Sequence, residues 1–434
     1  MLSMLQLATT AVLLVLGLAF FTGVSFARSA CRRVFNREPP PGLLPGLLLP
    51  MLRVLRPFGM LWRLATAPLR CLPDVYVLGE VRCGTTTVAS LLRDELGMAG
   101  PFTPWVHPLA NEKESFFLVG HYWGYVPRWA YRMCFPLRLS RWWYRVVLGR
   151  PFAAFEGCAS YLSAPWAPAL VRALTPRAVL VVCVREPVAQ NLSWWRLEQA
   201  GMAWGSAMGL GERWCGPPAR MHYPPRSLRA ALALSRSAAV EALWRRAERL
   251  PEAGGLGCGE GGGVGAGPFA RLPDWAVPMP NGQLSAFDRM GRYADTIERW
   301  LEHFGREQLV IVHLDDLARD PQPALAEIAA KCRAAHGGRV PPAAAPPAAP
   351  PAAPPAAPPA APPAAPPAAP PARAPKLNEA GALPPALEPD DVTLCELAAH
   401  YRPHNERLFA LLGRDLGWHD DPKYWYYRPA GRGH

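Results

Sequence analysis

The amino-acid sequence predicts an α/β fold in which a central parallel sheet is flanked by helices. Short apolar runs recur along the chain: Val75-Tyr-Val-Leu78, Ala178 to Val184 and Gln308 to Leu314. Runs with so few polar positions suit strands covered on both faces. Helical periodicity fills the stretches between and after them: Thr85 to Leu96, Tyr293 to Phe304 (Ile297, Trp300, Leu301 and Phe304 on one face) and Val392 to Leu412. Strands alternating with helices build a wrapped parallel sheet.

The first run leads into Gly79 to Gly84 and then into a helix, the order strand, Gly-bounded loop, helix. Leu7 to Phe26 holds only apolar, small or hydroxyl residues, long enough to cross a bilayer, so 1–27 is expected to be a membrane anchor. Residues 28–72 form a stem, in which Met51 to Leu69 has the pattern of an interfacial amphipathic helix. The main domain occupies 73–340 and 373–434. Between its parts, 341–372 is a Pro/Ala-rich insertion, and the repeat from Pro341 to Pro371 favours an extended polyproline II rod rather than a core. Gly254 to Gly267 is expected to be a surface loop.

The formal charge of +12 favours anionic partners. The arginines are scattered, and neither a zinc-knuckle spacing nor an RNA-binding signature accompanies them, which argues against nucleic acid. Ten cysteines are widely spaced with no C-x-x-C pair, so no zinc site is expected. Disulfides stay open for a lumenal domain, while Cys183, inside an apolar run, reads as a buried thiol.

The loop Gly79-Glu-Val-Arg-Cys-Gly84-Thr85-Thr86 has the frame that points backbone N–H groups and a helix N-terminus at a phosphate. An NTPase P-loop needs a lysine where Thr85 stands, and the second strand runs into Arg185 rather than a metal-holding aspartate. A metal-free phosphate site is therefore favoured over a kinase or ATPase. Thr85 and Thr86 also fit a plain helix N-cap, Arg185 a surface residue ending a strand, and Lys113 with Glu114 a solvated pair.

Five segments together resemble the PAPS-dependent sulfotransferases, and among them the Golgi carbohydrate enzymes acting on heparan and chondroitin. Val81-Arg-Cys-Gly-Thr-Thr86 is similar to the 5′-phosphosulfate loop, and Arg185-Glu-Pro-Val-Ala-Gln-Asn-Leu-Ser193 to the 3′-phosphate motif. Asn111-Glu-Lys-Glu-Ser-Phe-Phe117 resembles the segment that supplies the catalytic base. Gly291 to Leu301 running into Leu309 to Leu317, and Tyr401 to Leu408 with Leu412 to Trp418, follow in family order.

The resemblance implies a P-loop-like sulfotransferase fold and a carbohydrate sulfotransferase with PAPS (3′-phosphoadenosine 5′-phosphosulfate) as co-substrate and no required metal. It further implies in-line transfer to a glycan hydroxyl, an anionic polysaccharide included. Arg82, Cys83, Gly84, Thr85, Thr86, Arg185 and Ser193 would bind the donor. Glu114 would be the general base, with Arg82 and Lys113 stabilising the transferring group. His107 is the reserve base.

The chain departs from the pattern in two places. Arg82 replaces the usual loop lysine, and Gln190 replaces the second arginine of the 3′-phosphate motif, leaving open a non-catalytic, membrane-tethered glycan-binding relative. Asn191-Leu-Ser193 is also a glycosylation sequon, expected to be unmodified because Ser193 would face the nucleotide.

The implied location is the Golgi membrane, single-pass with a lumenal catalytic domain. Arg28, Arg32, Arg33 and Arg37 after the apolar run oppose that orientation under the positive-inside rule. Trp142, Trp143, Trp194 and Trp195 are compatible with sugar stacking, with core packing and with a membrane-proximal position. Cys83 beside the anion loop reads either as a thiol of depressed pKa or as filler. His313 and His404 read as structural, and Trp204 to Pro224 carries no readable code for the acceptor.

Overall fold

The computed structural model describes residues 59–101, 113–115, 117–118, 128–148, 152–159, 161–196, 227–236, 288–336 and 389–428, with single positions at 238, 241, 242 and 245. The apolar run Leu7 to Phe26, His107, Trp204 to Pro224, the Gly-rich loop and the Pro/Ala tract lie outside them. The chain divides into two units, Met1–Pro68 and Leu69–His434. In the first, residues 59–65 are helical. Among the described residues no helix is long and apolar enough to cross a membrane.

The second unit is built on four parallel strands, β1 (Val75–Gly79), β2 (Phe155–Glu156), β3 (Val179–Val184) and β4 (Leu309–His313). Their order is β2-β1-β3-β4. Every residue of β1 and β3 is buried, as the continuous apolar runs require. The strand missed by the sequence reading, β2, has two residues, too few for any period to show.

Nine helices of this unit matter here: α1 (Thr85–Asp94), α2 (Arg138–Val146), α3 (Ala167–Leu174), α4 (residues 187–196), α5 (Leu228–Ser235), α6 (Tyr293–Leu301), α7 (Leu314–Arg319), α8 (Gln322–His336) and α9 (Asp391–Leu412). Helix α1 packs on β1 and β2, α8 on β3 and β4, and α6 on α9. The caps of α9 explain its bounds. Asp390 accepts the Thr393 N–H at 2.6 Å, and Gly413 ends the helix in the left-handed conformation at φ 65°.

Two buried tryptophans tie separate segments of this unit together. Trp300 of α6 is fully buried and its indole N–H donates to the Leu162 carbonyl at 3.1 Å. Trp418 donates to Nε2 of His313 at 3.0 Å, which gives that histidine the structural role its sequence context suggested. Burial holds the His313 imidazole below its ordinary pKa, so it accepts in its neutral form.

The strand order places the site. Strand β1 has β2 on one side and β3 on the other, so the chain leaves β1 and β3 in opposite directions along the sheet. Crevices at the carboxyl ends of such strands are where open α/β sheets bind ligands.

Trp300→Ala should lower unfolding free energy by about 3–5 kcal/mol, because it empties a fully buried site and strands the Leu162 carbonyl. Urea denaturation of both proteins checks this; a loss below about 1 kcal/mol would mean the core collapses around the gap.

Candidate active site

The loop after β1 turns sharply at two points. Arg82 has φ 73° and Gly84 φ 89°, both left-handed. Gly84 needs its glycine twice over, since a Cβ there would meet Leu314 Cδ1 at 2.6 Å. Arg82 holds its left-handed backbone as a non-glycine residue, a conformation that persists only where surrounding contacts enforce it. Three contacts do so. Its Nε donates to Ser193 Oγ at 2.9 Å, its carbonyl accepts from Arg185 at 3.0 Å, and the preceding Val81 carbonyl accepts from Gln190 at 2.7 Å.

The loop after β1 and the segment after β3 are thus stitched together, bringing Arg82, Arg185 and Ser193 to one place. Among the described residues neither guanidinium has a carboxylate partner. Burial, and next the charge of Arg185, push the Arg82 guanidinium below its usual pKa. Two part-buried cations linked through the Arg82 carbonyl, with no carboxylate partner among the described residues, suit an anionic ligand.

Helix α1 begins with Gly84 as its N-cap and no side-chain cap, so Thr85 and Thr86 do not serve as caps. Thr85 Oγ1 instead accepts from Lys113 Nζ at 3.1 Å. An ammonium from a distant segment therefore stands at the first turn of α1. Thr86 is half-buried in that same turn.

Lys113 also donates to Glu114 Oε1 at 2.6 Å, and the Ala159 N–H approaches the same oxygen at 3.4 Å. Oε2 of Glu114 has no hydrogen-bond partner among the described residues, and the side chain keeps 14 % exposure. One carboxylate oxygen is held while the other is open, the arrangement a general base needs.

Residues 113–115 are positioned by the end of β2. The Gly157 N–H donates to the Lys113 carbonyl at 2.7 Å, and the Ser115 N–H to Glu156 Oε1 at 3.1 Å. Fully buried, Glu156 also accepts from the hydroxyls of Ser115, Tyr131 and Tyr161. Burial pushes its carboxyl from 4.5 up to about 7 against the pull of these donors. Sequence reasoning missed this residue, as it missed Glu186.

Glu186, fully buried beside Arg185, accepts the N–H groups of Val188 (2.8 Å) and Ala189 (2.7 Å) at the start of α4, and the hydroxyls of Tyr426 (2.5 Å) and Tyr427 (2.7 Å). Burial again raises its pKa. The carboxyl-terminal turn is thereby tied to the residue that follows Arg185. The one hint in sequence is a carboxylate directly before Pro187, where it can cap the helix that the proline opens.

Other candidates fall away from the crevice. Cys83 does not offer a group to a ligand: its thiol lies 3.1 Å from the Tyr293 hydroxyl in the core, its N–H goes to the Glu80 carbonyl, and burial raises it to about 12. A depressed pKa at Cys83 is thereby overturned. Cys71, Cys83, Cys183, Cys332 and Cys395 are free thiols. Gln190 is spent on the Val81 carbonyl and on Asn191 Nδ2. Asn191 is fully buried, donating to the Pro187 carbonyl and the Tyr401 hydroxyl, so a glycan at this sequon is incompatible with the packing. Trp194 and Trp195 are core residues, whereas Trp142 and Trp143 are exposed.

The fold and site define an α/β protein with an arginine-bearing, glycine-bounded loop at the switch point of a parallel sheet. No family model and no curated protein sequence matches the chain. Among solved structures, a sulfotransferase from Alicyclobacillus acidocaldarius is similar at 17 % identity with a TM-score of 0.41, over 80 % of this chain and 98 % of that one. A likeness this loose leaves the site to rest on the chain's own geometry.

Because folded Glu156 holds its proton to about pH 7, against 4.5 when unfolded, the folded state binds more protons between those values. Its contribution to stability therefore falls by roughly 3 kcal/mol as pH rises through that window, and is level above it. Glu156→Gln should gain on the parent across pH 4.5–7 in urea midpoints. Parallel curves would show that the carboxyl stays ionised.

Proposed function

We propose that the chain is a sulfotransferase that moves a sulfuryl group from PAPS to a glycan hydroxyl without a metal. The observation that carries this reading is the pair of guanidiniums, Arg82 and Arg185, joined through the Arg82 carbonyl and without carboxylate partners among the described residues. The donor has anionic groups at both ends of its ribose. Arg185 and Ser193 suit the 3′-phosphate; Arg82, the first-turn amides of α1, Thr85, Thr86 and Lys113 suit the phosphosulfate.

The chemistry follows from charge. As the acceptor oxygen bonds to sulfur and the bond from sulfur to the phosphate oxygen breaks, negative charge grows on the departing phosphate. Arg82, Lys113 and the loop amides oppose it. The hydroxyl proton passes to Glu114 Oε2, the open oxygen of that carboxylate. No covalent enzyme intermediate is needed. The acceptor class, a carbohydrate that includes anionic polysaccharide, accords with the formal charge of +12. On this reading the run Leu7 to Phe26 is a single-pass Golgi anchor and the catalytic domain faces the lumen.

Isothermal titration of the full chain in detergent should detect 3′-phosphoadenosine 5′-phosphate and not ATP with magnesium. Arg185→Ala should weaken the first ligand about 10- to 100-fold, the worth of a charge-assisted pair. Preference for ATP would sink the proposal, and binding of neither would point to a glycan-binding relative without turnover.

Glu114→Gln should lower kcat about 10²- to 10⁴-fold while leaving nucleotide affinity unchanged. An unchanged kcat in acceptor assays would remove Glu114 from the mechanism.

A further inference from the structure

Helix α2 is amphipathic with the wrong face inward. Its inner side is polar or aromatic and anchored: Arg141 pairs with Asp74 at 2.6 Å, and the half-buried Tyr144 ring packs on Phe152 at 5.4 Å between centroids. Its outer side carries the large apolar residues. Leu139 is 65 % exposed, Trp142 51 %, Trp143 46 % and Val146 61 %, and Val147 and Leu148 just beyond the helix are exposed as well. At 3.6 residues per turn, positions 139, 142, 143, 146 and 147 share an arc of about 140°, with Arg138 and Arg145 along its edge.

Exposed apolar area of this kind marks an interaction surface, and two features name its occupant. The first is charge. The arc is edged by guanidiniums, and the stretch from Phe135 to Pro151 contains no Asp or Glu. A second copy of this chain would bring like charges together with no acid on this helix to compensate. An anionic lipid surface supplies phosphates for the arginines and a hydrocarbon boundary for the tryptophans, the composition that seats helices in the interface.

The second is where α2 lies. The chain enters this unit at Leu69, and Arg70 bridges to Leu137, the residue before α2. The Cys71 N–H donates to the Pro136 carbonyl at 2.9 Å, and Arg132 and Arg138 both donate to the Arg70 carbonyl, at 3.1 and 3.4 Å. The helix therefore starts beside the residues at which the chain enters this unit.

We infer that α2 is a second membrane contact, made by the folded unit itself. It lies in the headgroup layer of an anionic bilayer, with Trp142, Trp143 and Val146 toward the acyl boundary and Arg138 and Arg145 on lipid phosphates. The contact is separate from any transmembrane anchor and from the anion crevice, so it does not depend on the catalytic reading.

The test is hydrogen exchange of residues 138–148 in the full chain, reconstituted in phosphatidylcholine vesicles with or without about 30 mol% phosphatidylserine. Exchange should slow on the order of tenfold in the anionic vesicles, and the slowing should vanish in Trp142→Ser/Trp143→Ser. Arg138→Gln/Arg145→Gln, which leaves the apolar arc intact, should abolish the difference between the two vesicle types. Thermal midpoints in detergent confirm that each variant is folded; should the tryptophan variant fail this check, the arginine variant decides alone. Equal exchange in both vesicle types, or slowing that survives the substitutions, overturns the proposal. So does protection that grows with protein concentration, which would assign the face to a second copy of the chain.

Discussion

Strands β1 and β3 pair in parallel over five consecutive positions, ending at Gly79 opposite Cys183. Everything in the crevice depends on that register. With the two strands ending within one residue of each other, the loop from Glu80 to Gly84 and the segment from Arg185 to Ser193 leave the sheet side by side. Their hydrogen bonds, Arg82 to Ser193, Arg185 to the Arg82 carbonyl and Gln190 to the Val81 carbonyl, are then short enough to form. A slip of one residue would turn the side chains of the strand to the opposite face of the sheet and separate these groups.

Around this core the molecule places carboxylates in two different environments. Glu156 and Glu186 are sealed inside, each accepting several donors, and they act as brackets. One holds residues 113–115 against β2, and the other ties Tyr426 and Tyr427 to the start of α4. Glu114 keeps 14 % exposure, and its Oε2 has no hydrogen-bond partner among the described residues. Burial and saturation of hydrogen bonds make the first two structural, while partial exposure and a neighbouring ammonium suit the third to chemistry.

Lys113 illustrates how a fold can bring a charge to a loop whose own sequence lacks it. The loop reads Gly84-Thr85-Thr86 with no lysine, but the Lys113 ammonium reaches Thr85 from a segment 28 residues away. The positive charge at the first turn of α1 is set by position in space rather than by position in the motif. In the same way, Gln190 acts as a clamp on the loop backbone.

By itself the sequence determined the three longer strands and the loop and helix that follow β1, and it singled out Arg82, Thr85, Arg185, Ser193, Lys113 and Glu114, which the fold links by hydrogen bonds. These were legible because strands buried on both faces must be apolar throughout, and because an anion loop needs glycine and cations at short spacing. Tertiary structure alone decided the rest. Strand β2 is too short to carry a period, and the donors to Glu156 and Glu186 come from residues up to 41 and 241 positions away. Cys83 lies within the loop from Gly79 to Gly84, yet the turn at Arg82 and Gly84 sends its thiol into the core against Tyr293. The Trp142-Trp143 pair and the Trp194-Trp195 pair look alike as text; one faces solvent and the other is buried, because only packing determines which side of a helix meets the sheet.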